Sequence, residues 1–123
     1  MAIKKPFRGV LYNKEYVGTL DNVIAPPYDV ISPSDQQWYY DKHEYNAVRL
    51  ILPMEDQSSG SMGKYESSAD TLNSWLNDGI LILDDIQTIY VIKQEYEIDG
   101  IKRQRVGFTC AVKLEDYDQG TVK

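Results

Sequence analysis

The clearest pattern of polar and apolar positions lies in the C-terminal part of the chain, where the two classes alternate over residues 87–114. This alternation is typical of β-strands, and Asp99-Gly100 between the two segments is a pair that type I′ hairpin turns favour. With those two residues as the loop, the predicted pairs are Ile98 with Ile101, Glu97 with Lys102, Val91 with Phe108 and Ile89 with Cys110. One face then carries six apolar residues that we expect to be core: Ile89, Val91, Val106, Phe108, Cys110 and Val112.

Two segments have the pattern of helices. The run "SPSD" at residues 32–35 offers a hydroxyl N-cap, a proline at the first helical position and a carboxylate at the third. It predicts a helix from Pro33 to about Lys42 with Trp38 on its packed side. A second helix is predicted over Lys64 to Asn77, with Gly79 ending it and an apolar face made of Tyr65, Ala69, Leu72, Trp75 and Leu76.

The remaining pattern is weaker. The apolar run "NAVRLILP", residues 46–53, favours a central strand with Val48 on one face and Arg49 on the other. Residues 7–12 and the segment ending at Ile24 are predicted to be extended, and residues 55–63, rich in Ser, Gly and acids, to form an exposed loop. We therefore expect an α+β fold with a mixed or antiparallel sheet, two helices and a long C-terminal β-hairpin.

Length suggests one domain, because 123 residues suffice for a single core. We treat residues 1–123 as a single α+β domain. The segment after the hairpin carries no signal of a closing helix or strand, so we expect this to be the N-terminal portion of a larger protein.

Charge and cysteine content narrow the function classes. The net charge of −6 opposes binding to phosphate backbones, so a nucleic-acid partner is not expected. A single cysteine, Cys110, allows no disulfide within the chain and no cluster of thiolates around zinc. The N-terminus lacks an apolar signal region, and no long apolar run follows, so we expect a cytoplasmic protein without a membrane segment. The oligomeric state is open.

Candidate chemistry begins at "APPYDVIS", residues 25–32. Pro26 and Pro27 stiffen the loop, so its ordering loses little entropy. The helix that starts after it is a potential anion site at its N-terminus, although Ser32 and Asp35 would occupy the same donors. Tyr28 and Asp29 at this loop either serve a ligand or pack on the prolines and accept backbone bonds.

Arg49 is the second candidate because it interrupts an apolar run. A buried guanidinium needs an acid or a ligand, so it either pairs internally, for instance with Asp29 or Asp21, or clamps a phosphate or carboxylate. Arg8 is a candidate for the same clamp. The chain has no glycine-rich phosphate loop, no nucleophile elbow and no metal-binding motif, which argues against an enzyme site complete within these residues.

Five segments in order resemble a known family: "KPFRG", "APPYDVIS", "NAVRLILP", "WLNDGIL" and "GFTCAVKLEDYDQG". Together they are similar to the N-terminal part of the uncharacterised bacterial and archaeal family named domain of unknown function ten-fifteen, whose members are often labelled ParB-like or SpoOJ/ParA/ParB/RepB family proteins. Its longer members carry downstream Pro-His-Glu and Asp-Gly-His-His-Arg segments, neither of which is in this chain. The second segment resembles the signature of ParB and sulfiredoxin-like proteins, some of which phosphorylate free serine.

By this resemblance, the family's recurring positions fall on eight residues of this chain: Phe7, Arg8, Pro26, Pro27, Tyr28, Asp29, Asn46 and Arg49. We assign Asp29 as the catalytic candidate, either as a base or as a Mg²⁺ ligand, and Arg8, Tyr28, Asn46 and Arg49 as ligand-binding candidates. The function implied is nucleotide binding or small-molecule phosphotransfer in the full-length protein, with ATP or another phosphate donor and Mg²⁺. This piece alone is then expected to be inactive. The alternative is a noncatalytic ParB-like regulatory or interaction module.

Overall fold

The computed structural model describes residues 2–55 and 63–116. Nearly all of the predicted loop at residues 55–63, and the chain after residue 116, lie outside these described ranges. The chain divides into two compact units, which we call the helical unit (Val10–Leu83) and the hairpin unit (Met1–Gly9 with Asp84–Lys123). Helices and antiparallel strand pairs are both present, so the predicted α+β class is confirmed.

The helical unit begins and ends with one strand pair. Strand β2 (Val10–Tyr12) runs antiparallel to β3 (Leu81–Leu83). Between them lie α1 (Lys14–Val17), α2 (Pro33–Lys42), α3 (Val48–Ile51), α4 (Lys64–Asn77) and two 3₁₀ turns, Leu20–Asn22 and Tyr28–Val30. The prediction of an extended segment ending at Ile24 is wrong, because the side chains of Asn13 and Thr19 accept backbone N–H groups and start a helix and a 3₁₀ turn there.

Both predicted helices form with the predicted bounds, because their end signals are local. The Ser32 hydroxyl accepts from Asp35 N at 3.2 Å and the Asp35 carboxylate accepts from Ser32 N at 3.3 Å, which completes a capping box at α2. At the end of α4, Gly79 has φ +77°, and the N–H groups of Gly79 and Ile80 return to Leu76 O and Trp75 O. This is a Schellman motif, which needs a residue that tolerates positive φ.

The core of the helical unit forms where α4 meets the strand pair. Trp75 is buried there, and the rings of Tyr12 and Tyr45 lie 6.3 and 5.6 Å from its own. Four predicted core positions are wrong: Trp38 is 57% exposed, Tyr65 is 80% exposed, and Ala69 and Leu72 are exposed as well. Helix α2 has no continuous apolar face and buries no residue. Trp38 lies edge-on to Tyr39 and under the Lys42 ammonium.

The segment 46–53 forms α3 and a following turn, not the predicted central strand. The Asn46 side-chain oxygen accepts from Val48 N at 3.0 Å, and Leu50 N and Leu52 N then bond to Ala47 O and Val48 O. A short apolar run fits a buried strand and a buried helical turn equally well. Here the asparagine side chain starts the helical turn by competing for a backbone donor.

The hairpin unit is built from strands. Strand β1 (Lys4–Lys5) pairs with β6 (Ala111–Val112), Phe7 forms a single bridge with Thr88, and β4 (Tyr90–Ile98) pairs with β5 (Ile101–Thr109). Asp99 and Gly100 have φ of 51° and 76°, as a type I′ turn requires. The predicted pairs from Ile98–Ile101 to Val91–Phe108 are confirmed, and the ladder ends at Tyr90–Thr109, one step before the predicted Ile89–Cys110 pair.

The prediction that one hairpin face is core is wrong within the described residues. Val91, Val106 and Phe108 are 72%, 63% and 60% exposed. Alternation sets which side chains share a face, but burial needs a second layer, and no described element covers this one. No helix in the described ranges has the length and apolar character needed to cross a bilayer.

Candidate functional site

The loop before α2 holds Tyr28 and Asp29 in a 3₁₀ turn. Pro27 is extended, with ψ 145°, and its carbonyl accepts from Val30 N at 3.1 Å, so the rigid proline pair leads directly into the turn. Both Tyr28 and Asp29 are exposed. The α2 N-terminus beside them is occupied by its own Ser32 and Asp35 side chains, so the self-capped alternative holds there.

Asn46 is fully buried and all its polar atoms are bonded within the helical unit. Its amide nitrogen donates to Asn22 O at 2.9 Å and to Ile24 O at 3.1 Å, while its oxygen accepts from Val48 N. These bonds join the segment after α1 to the start of α3. The geometry gives Asn46 a structural role and leaves no exposed atom for a ligand.

Arg49 lies half-buried against α2. Its guanidinium carbon is 4.2 Å from the centroid of the Tyr40 ring, and Nη2 donates to Tyr40 O at 3.0 Å. Its Nε is buried without a hydrogen-bond partner among the described residues. Neither Asp29 nor Asp21 lies within ion-pair distance, since the ion pair within residues 2–55 and 63–116 is Lys93–Glu95. Arg49 is therefore held by stacking and by one carbonyl, with guanidinium donors left over.

Arg8 belongs to the hairpin unit, whereas the other four candidates belong to the helical unit. Arg8 is exposed, and its Nε donates to the backbone carbonyl of Asp84. The adjoining Tyr90 hydroxyl donates to the Asp84 carboxylate and accepts from Gly9 N at 2.7 Å. The hydrogen bond to Asp84, followed by desolvation, raises the pKa of Tyr90. These contacts tie the N-terminal segment to the start of β4.

A cleft of about 460 Å³ opens in the helical unit. We call it the tyrosine cleft. Tyr28, residues 50–53 and the first turns of α4, through Lys64, Tyr65 and Ser68, line it. The Lys64 ammonium lies 5.3 Å from the centroid of the Tyr65 ring, so a cation and an aromatic face are already adjacent.

Of the predicted site residues, the tyrosine cleft includes Tyr28 alone, with Asp29 and Arg49 each next in sequence to a lining residue. Sequence reasoning missed Lys64 and Ser68 and placed Tyr65 on the packed face of its helix. The available signal was the position of these residues in the first turns of a predicted helix, directly after a sequence segment rich in Ser and Gly. That signal predicts where the helix begins, but it does not predict that residues 50–53 line the same cleft.

The described residues contain no group of three His, Cys, Asp or Glu side chains placed to hold a metal ion. Mg²⁺ needs less than this, because it commonly takes one or two carboxylates together with substrate phosphates and water. Asp29 fits that limited demand as a single exposed carboxylate.

Comparison with known proteins identifies one family. The family model described as "Protein of unknown function (DUF1015)" matches residues 5–123. No curated protein and no solved structure matches the chain.

Proposed function

The chain belongs to the DUF1015 family, whose description states no activity. From the tyrosine cleft we propose that it binds a nucleotide-class ligand, with an aromatic base at one end and phosphate at the other. The cleft volume lies in the range of small-molecule sites. The observation that carries the proposal is that two exposed tyrosine rings and a lysine line one cleft.

The tyrosines supply the surface for a base. Tyr28 and Tyr65 are 65% and 80% exposed, so most of the surface of both side chains is accessible to a ligand. Stacking of a base on an aromatic side chain contributes about 1–3 kcal/mol and tolerates any base. The apolar residues 50–53 line the same cleft.

The start of α4 supplies the positive end. Lys64 is the first residue of this 14-residue helix, and its N-cap Gly63 contributes no side-chain hydrogen bond. In contrast to α2, no side chain among the described residues caps the first-turn N–H groups of α4. Lys64, the Ser68 hydroxyl and these N–H groups are the donors that a phosphate would use.

Phosphoryl transfer to a small molecule such as free serine is the finer proposal for the full-length protein. Asp29, beside Tyr28, would accept the proton of a substrate hydroxyl or share in holding Mg²⁺. Arg49 keeps donors for a phosphate beyond the one that bonds to Tyr40. Arg8 lies in the hairpin unit and receives no role in this site, and Asn46 is withdrawn from the ligand set because of its buried bonds.

The binding experiment is a fluorescence titration of the chain with a methylanthraniloyl derivative of ATP. We expect Tyr28→Ala and Tyr65→Ala each to weaken binding by about tenfold, the equivalent of 1.4 kcal/mol of stacking, and Lys64→Ala to weaken ATP more than adenosine. Tyr16→Ala is the matched control, since Tyr16 is an exposed tyrosine of the same unit outside the cleft. Absence of binding by the parent chain, or equal binding by all variants, contradicts the proposal.

Transfer is tested separately by phosphate release from ATP, with and without free serine, in the longest available form of the protein. Asp29→Asn should abolish transfer while retaining nucleotide affinity, and Arg49→Ala should reduce transfer. If both variants match the parent, these two assignments fail, although nucleotide binding in the cleft can still stand.

The alternative of a noncatalytic interaction module has its own support in the exposed apolar side chains of the hairpin. A ParB-like role in DNA binding has less support, because the net charge is −6 and one of the basic residues of β5, Lys102, faces Glu97 across the ladder. Salt-dependent binding of duplex DNA would favour the ParB-like role, and its absence would leave protein partners as the alternative.

A further inference from the structure

The β4–β5 hairpin is an unusually exposed pair of strands. It contains nine residue pairs, and every side chain except that of Tyr90 is exposed. No third strand pairs with either outer edge within the described part of the chain. A two-stranded hairpin is at best marginally stable in water, and three or more strands are the usual minimum. This ribbon therefore lacks the neighbour that strands of this length normally have.

The register determines which backbone groups are free. Ile98 and Ile101 flank the two-residue turn and bond to each other, so hydrogen-bonded pairs fall on the even residues of β4. The N–H and C=O groups of the odd residues, 91, 93, 95 and 97, point away from β5. They form an edge able to pair with another strand.

The two edges differ in charge. Strand β5 carries Lys102, Arg103 and Arg105 and no acid. Two copies of β5 would therefore bring like charges together, and charged side chains of this kind protect edge strands from pairing. Strand β4 carries Lys93 and Glu95 on the same face, close enough to form an ion pair at 2.8 Å. Strand β4 thus carries a positive and a negative side chain at neighbouring positions whose backbone groups point away from β5, so it can pair with a second copy of itself through opposite charges.

We propose that two copies of the chain pair antiparallel along β4, about a twofold axis at Gln94, to form a four-stranded sheet. In this register Lys93 lies opposite the partner's Glu95, and Glu95 lies opposite the partner's Lys93. On the other face Ile92 meets the partner's Tyr96, and Tyr90 meets the partner's Ile98. Neighbouring registers are less favourable in charge. A shift in one direction places Glu95 opposite its own copy, although Lys93 then lies opposite the partner's Glu97, and a shift in the other direction places Lys93 opposite its own copy.

This symmetry is isologous, so one substitution acts twice in each dimer. Lys93→Glu makes both charged pairs repulsive, and so does Glu95→Lys. Each variant should weaken dimerisation by about tenfold or more, as followed by sedimentation velocity over a range of chain concentrations. An equimolar mixture of the two variants restores opposite charges at both pairs, so it should form heterodimers. Arg105→Glu, with the same change of charge as Lys93→Glu but on β5, is the matched control and should dimerise like the parent.

Disulfide trapping tests the axis directly. In a Cys110→Ser background, Gln94→Cys places two thiols opposite each other at a non-hydrogen-bonded pair, where the Cα atoms of antiparallel strands are about 4.5 Å apart. Oxidation should yield a covalent dimer, whereas Gln104→Cys on β5 should not cross-link.

A parent chain that stays monomeric at every concentration overturns the proposal. A dimer that ignores both charge reversals, or one that cross-links through Gln104→Cys and not Gln94→Cys, shows a different interface and overturns it as well. The rescue by mixing keeps the result independent of any loss of folding in a single variant. None of these results bears on ligand binding in the tyrosine cleft, which lies in the helical unit.

Discussion

The helical unit and the hairpin unit contain similar apolar side chains but differ in how many of them are buried. The described apolar residues that are buried all lie between Val10 and Leu83: Val17, Val23, Val48, Trp75, Ile80 and Leu81. On the hairpin, Val91, Val106 and Phe108 have more than half of their surface exposed. The helical unit therefore has a core, whereas the hairpin unit presents a surface.

The difference follows from layering, not from composition. Removing apolar surface from water contributes about 25 cal/mol per Å², but only where another element covers that surface. Helix α4 covers the β2–β3 pair with Trp75, and no described element does the same for β4 and β5. A strong local pattern is thus compatible with a buried or an exposed apolar face. Substitutions in the two units should therefore differ in their effect on stability.

Replacement of Trp75 should have the largest effect. Trp75→Ala removes the ring at the centre of the helical core, and we expect the free energy of unfolding to fall by about 3–5 kcal/mol. Trp38→Ala is the control, because the only other tryptophan lies exposed on α2 and should cost about 1 kcal/mol or less. Urea unfolding followed by circular dichroism measures both, and equal losses would contradict a core centred on α4.

Asn46→Ala should come next, with a loss of about 1–3 kcal/mol, because the carbonyls of Asn22 and Ile24 would lose their shared donor. Asn73→Ala, at an exposed position of α4, should change stability by about 0.5 kcal/mol or less. The same unfolding assay reports both. Unchanged nucleotide affinity of the folded Asn46→Ala variant would confirm a structural role, whereas a selective loss of affinity would return Asn46 to the ligand set.

Alkaline pH should weaken the helical unit through Tyr12. Burial raises the pKa of Tyr12 to about 12, and its hydroxyl donates to Tyr45 O at 2.7 Å. Folding therefore favours the protonated phenol. The resulting stability is fully present below the unfolded tyrosine pKa of about 10 and is lost as pH rises toward about 12.

The check is the pH dependence of unfolding for Tyr12→Phe. This variant should lose about 0.5–1.5 kcal/mol near neutral pH with the hydrogen bond, and it should show a smaller alkaline decline than the parent. Tyr90→Phe is the matched variant in the hairpin unit, where the hydrogen bond to Asp84 raises the pKa of Tyr90. It should leave the alkaline decline of the helical signal unchanged. An identical decline in Tyr12→Phe and parent would exclude Tyr12 as its source.

The smallest effect is expected at the hairpin turn. Gly100 has φ +76°, so Gly100→Ala should destabilise the β4–β5 ladder by about 1 kcal/mol. Gly107→Ala is the control, because a Cβ there meets no atom within 4 Å and the residue needs no positive φ. It should be neutral or slightly stabilising. Amide hydrogen exchange of β4 and β5 reports on both, and similar protection in the two variants would contradict the type I′ geometry.

Features set by near neighbours in sequence could be predicted well. The bounds of α2 and α4 and the register from Ile98–Ile101 to Val91–Phe108 were all accessible, because caps and two-residue turns involve residues only a few positions apart. Of the candidate site, Tyr28 was found because a rigid proline pair marks its loop. Lys64 and Ser68 were missed because their role depends on residues 50–53, which reach the cleft only after folding.

The sequence alone determined where α2 and α4 begin and end, how β4 and β5 align, and which side chains of the hairpin share a face, because these depend on backbone geometry over a few residues. Only the tertiary structure decided that residues 48–51 are helical, that Asn46 is buried, that Trp38 and Phe108 are exposed, and that Tyr28 and Tyr65 line one cleft. Those outcomes depend on which surfaces meet, and the free energy of burial belongs to pairs of surfaces distant in sequence, which no local pattern specifies.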